Sequence, residues 1–301
     1  MRRFGLIVAT LALASQAAAA DDCRLVRQDS IPMIPLSDGH FAVGVTISGQ
    51  PLRFAVDTGA PGMMITRRAA NALGLTKSTL AGMSAIILGH TTTAGAQASE
   101  VTIGHTRPDY VQFFVAPAEM NNEESDGLLG ASFLQVFEVD LDFAHARMNL
   151  FSKNHCPGKL VYWTRGEDVA VIPYQIERGH IAFPVTLDGK QITAVLDTGA
   201  WHTTISLDDA KRMYGLDERA PDMRRDMNSQ NPKPRYHHRF KSLAFGGVVI
   251  GDADVMLHTD TYLTLMSSTP RMLLGMNILR QLHIMIAYSE KKLYVTAAET
   301  Q

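Results

Sequence analysis

The tetrapeptide Asp57-Thr58-Gly59-Ala60 returns in the second half of the chain as Asp197-Thr198-Gly199-Ala200, and its surroundings return at the same offset. Gly39-His40-Phe41-Ala42 aligns with Gly179-His180-Ile181-Ala182, and Val45-Thr46-Ile47-Ser48-Gly49 with Val185-Thr186-Leu187-Asp188-Gly189. Ten of the 22 aligned positions from Gly39 to Ala60 are identical. Ile65-Thr66 matches Ile205-Ser206, Ala70 matches Ala210, and Gly74-Leu75 matches Gly215-Leu216 after one inserted residue. A third block closes each half: Gly127-Leu128-Leu129-Gly130-Ala131-Ser132-Phe133-Leu134 parallels Met272-Leu273-Leu274-Gly275-Met276-Asn277-Ile278-Leu279. So long a period marks a duplicated domain, since solenoid units run to roughly 20 to 50 residues. Two copies of one half-site imply a single site shared between two lobes.

Each half reads as mainly β. Phe41 to Ser48 is rich in Val, Thr and Ile, turns at Gly49-Gln50 and continues into Leu52 to Val56, a hairpin that delivers Asp57 to a strand end. His180 to Leu187, the turn Asp188-Gly189 and Ile192 to Leu196 do the same for Asp197. A short helix follows each loop, over Thr66 to Leu73 and Ser206 to Tyr214, each ended by a glycine suited to a left-handed cap. The halves then diverge. Ser84 to Ile103 suggests a hairpin with Gly89-His90-Thr91 near its tip, whereas Pro221 to His238 reads as a longer polar loop, with His237-His238 on its surface. Val136 to Phe151 and Leu282 to Val295 look like strand, turn, strand.

An Asp-Thr-Gly-Ala preceded by apolar strand residues (Phe54-Ala55-Val56 and Ala194-Val195-Leu196) and followed downstream by an apolar-apolar-Gly block resembles the aspartic proteases, particularly retropepsin-like bacterial members. The resemblance covers both halves. It implies the bilobal fold, two repeat-related β-barrel-like lobes with a cleft between them, and Asp57 and Asp197 as the catalytic pair. It implies that Thr58 and Thr198 hydrogen-bond across a pseudo-twofold axis, and that the substrate is an extended peptide or protein. No metal and no organic cofactor is expected.

The chemistry of such a pair follows from electrostatics. Two carboxylates a few ångströms apart cannot both ionise, so they titrate as a coupled unit that shares a proton; one can serve as base while the other serves as acid. Gly59 and Gly199 let the backbone turn tightly and bring amides near the carboxylates. Gly130 and Gly275 would let the downstream strand pass close beneath each loop. Ala60 and Ala200 stand where pepsin-like enzymes commonly have a hydroxyl donor; with that donor gone the carboxylate pKa is expected higher, and the activity optimum mildly acidic. Trp201 and His202, directly after the second loop, are candidates for a substrate pocket, as is Gly89; ordinary packing is the alternative. His40 and His180, at strand starts, read as structural, and none of the eleven histidines falls in a metal-ligand spacing.

Length and composition agree with two lobes. The chain has 301 residues, 46% of them hydrophobic, enough for roughly two domains. Met1 to Ala20 reads as a secretory leader: Arg2 and Arg3, the apolar run Phe4 to Ala14, then Ala18-Ala19-Ala20 before Asp21. The lobes are then expected over 21–155 and 156–301. Losing the leader leaves 26 basic against 30 acidic residues, which gives no hint of nucleic-acid binding. No later segment supplies the about 20 apolar residues a membrane anchor needs, so a periplasmic or secreted monomer is expected. Cys23 and Cys156, an even count in an oxidising compartment, are expected to pair, with two unpaired cysteines as the open alternative. Two further alternatives are a peptide-binding protein that has lost hydrolysis and a dimer that exchanges lobes.

Overall fold

The computed structural model describes residues 23–80, 84–87, 90–117, 124–165, 168–227, 233–259 and 271–299; the leader, Gly89 and the tip of the 221–238 segment lie outside them. Each half contains the hairpin foreseen for it. Phe41–Ile47 pairs antiparallel with Gln50–Val56, and His180–Leu187 with Lys190–Leu196, with Ser48-Gly49 and Asp188-Gly189 turning through positive φ. The inner faces of these strands carry Val43, Val45, Ile47, Phe54 and Val56 in one lobe and Ile181, Phe183, Val185, Ile192 and Leu196 in the other, all buried in the core. At about 1.5 to 3 kcal/mol per fully buried side chain, these faces alone decide which side of each hairpin turns inward.

The helices after the loops start where a hydroxyl can cap them. Thr66 accepts the Ala69 N–H ahead of Arg67–Ala72, and Ser206 accepts the Asp209 N–H ahead of Leu207–Tyr214. Gly215 closes the second helix in the left-handed region (φ 70°).

The lobes are joined by a sheet drawn from both. Glu138–Asp142 pairs with Arg147–Phe151 of its own lobe and, on its other side, antiparallel with Leu282–Ala287, placing Val139 opposite Ile286; Lys292–Ala297 then extends the sheet to Ala170–Pro173. Buried polar groups rivet this seam. Glu138, wholly buried, faces His155 Nε2 at 3.1 Å and accepts the N–H groups of Tyr288 and Ser289 from the second lobe. Asp140 pairs with His283 Nε2 at 2.6 Å, accepts from Asn149 Nδ2 at 2.8 Å, and accepts the Tyr162 hydroxyl. Cys23 and Cys156 form a disulfide that ties the first described residue to the junction between the halves. Among the described residues no helix is long and apolar enough to cross a membrane.

Two sequence expectations need correction. Ser84 to Ile103 is not one hairpin: Ala85–Ile87 pairs with His90–Thr92, whereas Ala94–Ala98 pairs with Val111–Val115 and Val101–Ile103 with Phe41–Ile47. His237 and His238 do not lie in a surface loop: they belong to Arg235–Phe245, which pairs along its length with Val248–His258. Alternation explains it, because Tyr236, His238 and Phe240 take the buried face, with the His238 ring edge-on to Phe240 at 4.7 Å.

Candidate active site

Asp57 and Asp197 sit one residue beyond the end of the second hairpin strand in each half, and the same framework holds both. Gly127–Leu129 runs parallel to Gln50–Val56, so the Asp57 N–H donates to Leu129 O at 3.1 Å; Arg271–Leu274 runs parallel to Lys190–Leu196, and the Asp197 N–H donates to Leu274 O at 3.1 Å. Immediately downstream the Ala131 N–H donates to Ala60 O and the Met276 N–H to Ala200 O, both at 2.8 Å. The closing glycines are dictated by this contact. A Cβ on Gly130 would lie 2.1 Å from Gly62 O, and one on Gly275 2.6 Å from the His202 backbone.

The two loops are interlocked. The Thr58 N–H donates to Thr198 Oγ1 and the Thr198 N–H donates to Thr58 Oγ1, each at 3.0 Å. Each hydroxyl donates onward to the strand beneath the opposite loop, Thr58 to Leu196 O at 2.9 Å and Thr198 to Val56 O at 2.7 Å. Both threonines are fully buried. At about 1 kcal/mol per bond, four such bonds make the seam rigid, and removing either side chain would strand buried partners from the other lobe.

Within this frame the carboxylates face each other through the glycines. A Cβ on Gly59 would come 2.3 Å from Asp197 Oδ1, and one on Gly199 would come 2.3 Å from Asp57 Cγ; only the missing side chain makes room for the partner's carboxyl. Asp57 Oδ1 accepts N–H bonds from Gly59 at 2.8 Å and Ala60 at 2.9 Å; Asp197 Oδ1 accepts from Gly199 at 3.0 Å, and the Ala200 N–H also acts on the Asp197 carboxyl. Burial pushes both carboxyls above the ordinary aspartate range, against those amide bonds. Asp197 is pushed up to about 8, by burial first and by the Asp57 charge second. The pair therefore holds on to a proton that exposed aspartates would release in mild acid.

The weaker candidates fall beside the dyad rather than on it. Trp201 lies over the Gly39-His40 turn of the other lobe, its ring 6.4 Å from that of His40, with the Arg280 guanidinium 5.7 Å from its centroid. His202 turns toward the second-lobe hairpin, 5.0 Å from the His237 ring. Gly89 lies outside the described residues. Residues that sequence reasoning left aside include Asn277, which accepts from the Thr203 N–H and hydroxyl and so braces the strand after the second loop; Ser132, at the repeat-related position, does this for Met63 in the first lobe.

Two repeat-related β lobes, each lending one aspartate loop to a common seam, define the bilobal aspartic-protease fold. A family model for aspartyl proteases matches residues 43–133 and 183–278, two segments that begin at repeat-related positions, Val43 and Phe183. The chain belongs to the aspartyl protease family. Among solved structures it is similar to the aspartic proteinase of Irpex lacteus, with a TM-score of 0.56 over 90% of this chain and 97% of that one, at 13% identity; a likeness that distant speaks to the fold alone. No curated protein matches the chain in sequence.

Proposed function

We propose that this protein is an exported aspartic endopeptidase in which Asp57 and Asp197 form one dyad that activates a single water against the peptide bond. The observation that carries this reading is the reciprocal fit of each carboxyl into the space left by the other loop's glycine. Asp57, whose N–H bonds at 2.8 and 2.9 Å are shorter than the 3.0 Å bond to Asp197 and on which the His40 charge acts, is the member suited to be ionised and to draw a proton from the water. Asp197, held above its usual range by burial and by the neighbouring charge, is the member suited to keep a proton and donate a hydrogen bond to the substrate carbonyl oxygen. The water oxygen bonds to the carbonyl carbon; the tetrahedral intermediate then collapses as a dyad proton passes to the amide nitrogen and the C–N bond breaks. Proton count is conserved and the dyad returns to its monoprotonated state.

The substrate is an extended polypeptide held by its backbone, with apolar side chains beside the scissile bond. Export rests on the Met1–Ala20 leader and agrees with the Cys23–Cys156 bridge. Because both half-sites lie on one chain, a monomer suffices.

Incubating the mature chain with a diverse peptide mixture from pH 3 to 7, beside Asp57→Asn and Asp197→Asn and with pepstatin as a control, tests the reading by mass spectrometry. Cleavage that either substitution abolishes supports it. Folded protein that binds peptides and never cuts them makes it a peptide-binding protein instead.

A further inference from the structure

The duplication preserves one more titratable residue that the dyad chemistry does not use. A Gly-His pair precedes each aspartate at the same spacing, His40 ahead of Asp57 and His180 ahead of Asp197. The hairpin registers give that spacing a meaning. Ala42 pairs with Ala55 and Ala182 with Val195, so two positions further along each ladder His40 comes level with Asp57 and His180 with Asp197. Each turn also packs on the loop of the opposite lobe: a Cβ on Gly39 would strike the Trp201 ring at 2.1 Å, and one on Gly179 would touch Pro61 at 3.4 Å.

The copies have diverged in charge. The residue two before the shared histidine is Asp38 in the first lobe and Arg178 in the second. His40 Nδ1 lies 3.0 Å from Asp38 Oδ1, its Nε2 is buried without a partner among the described residues, and its charge acts on Asp57. His180 is buried beside Arg271, whose guanidinium pairs with Glu177; its ring engages the Gly59 backbone, and its Nδ1, like His40 Nε2, is buried without a partner among the described residues. Burial first and Arg271 second push His180 below the ordinary histidine range. Among the described residues the charged groups around His40 are Asp38 on its own turn, Asp57 across the ladder, Glu124 bound to Ser37, and Arg280 over the Trp201 ring.

We propose that His40 and His180 are divergent positioning residues of the dyad: His40, held by Asp38, presents a protonatable ring that favours the ionised form of Asp57, and His180, set beside Arg271, steadies Gly59. The inference rests on the peptidase reading above. Its consequence is directional. A cation beside Asp57 lowers the pH at which the dyad gives up its first proton, so the acidic limb of the pH profile extends lower than the buried carboxyls alone would allow.

The test compares wild type with His40→Asn, His40→Gln and His180→Gln by the pH dependence of kcat/KM and by 13C-carboxyl NMR titration of the dyad without substrate. Removing the His40 ring moves the acidic limb and the first dyad titration up by about half to one pH unit, a roughly three- to ten-fold loss of kcat/KM on that limb. His180→Gln, which leaves the Asp38–His40 pair and its approach to Asp57 intact, moves the limb less than the His40 variants do. A limb and titration unmoved in a folded His40 variant, or moved equally by His180→Gln, overturns the proposal. Failure of both His40 variants to fold also overturns it, in favour of a purely structural ring. A wild type that cuts no peptide contradicts the peptidase reading instead, while the NMR arm still reads His40.

Discussion

Replacing Gly59 with alanine would drive a methyl group into the Asp197 carboxyl, 2.3 to 2.7 Å from its three terminal atoms. The carboxyl has to move, and misplacement of a catalytic group by about 1 Å can cost 10²-fold in rate. Gly59→Ala is expected to fold with an unchanged circular dichroism spectrum and to lose about 10²-fold or more in kcat/KM. Gly44→Ala, whose Cβ meets nothing within 4 Å, serves as the control that keeps activity. The raised dyad also sets a stability signature. Asp197 holds its proton up to about 8 when folded and releases it near 4 when unfolded. Between those values the folded state binds more protons, so this stability is fully present below about pH 4 and is lost as pH rises toward 8. Thermal melts should show wild type losing on the order of 1–3 kcal/mol from pH 4 to 7 relative to Asp197→Asn; parallel pH dependences would contradict the raised carboxyl.

Among the elements, Glu138–Asp142 joins the halves most directly, because its buried acids find partners on both sides of the seam. Glu138→Ala would leave His155 and two second-lobe N–H groups facing an apolar gap, and removing one partner of a buried charged cluster costs about 3–5 kcal/mol. Urea unfolding should show that loss, with Glu138→Gln retaining a good part of the stability. How far such elements can be read from sequence depends on what reports them. The loop-bearing hairpins were legible because repetition doubled a weak alternating signal, and the two longer helices because Thr66 and Ser206 mark their starts. The strand Arg27–Pro35 was not foreseen: Pro32 and Pro35 argue against a strand, yet Pro32 sits where the ladder leaves Arg147–Phe151 for Phe41–Ile47, a switch point that spares the missing N–H. The single-turn helices Ala131–Leu134 and Met276–Leu279 are too short to show a helical period. At the site, both aspartates and both threonines were visible as a motif. The place of His40 was not, because its distance from Asp57 along the chain gains meaning only once the hairpin register is known.

For the molecule as a whole, the duplication has become a division of labour around one seam: identical loops, interlocked threonines, and flanking turns of opposite charge at Asp38 and Arg178. The Cys23–Cys156 bridge closes a span of 133 residues around the first lobe. Substituting both cysteines by serine should lower stability by about 2–4 kcal/mol while leaving kcat at the optimum near the wild-type value, measured by urea unfolding and peptide cleavage in parallel. The central claim is that two half-sites make one active site, and a double-mutant cycle tests it most directly. The kcat/KM of wild type, Asp57→Asn, Asp197→Asn and the double variant is measured on one peptide at the pH optimum. A shared dyad predicts that each single substitution removes about 10³-fold or more and that the double variant is hardly worse, since groups acting as a unit are grossly non-additive. Single variants that each keep about half the activity, with loss only in the double, would mean two independent sites and would contradict the account.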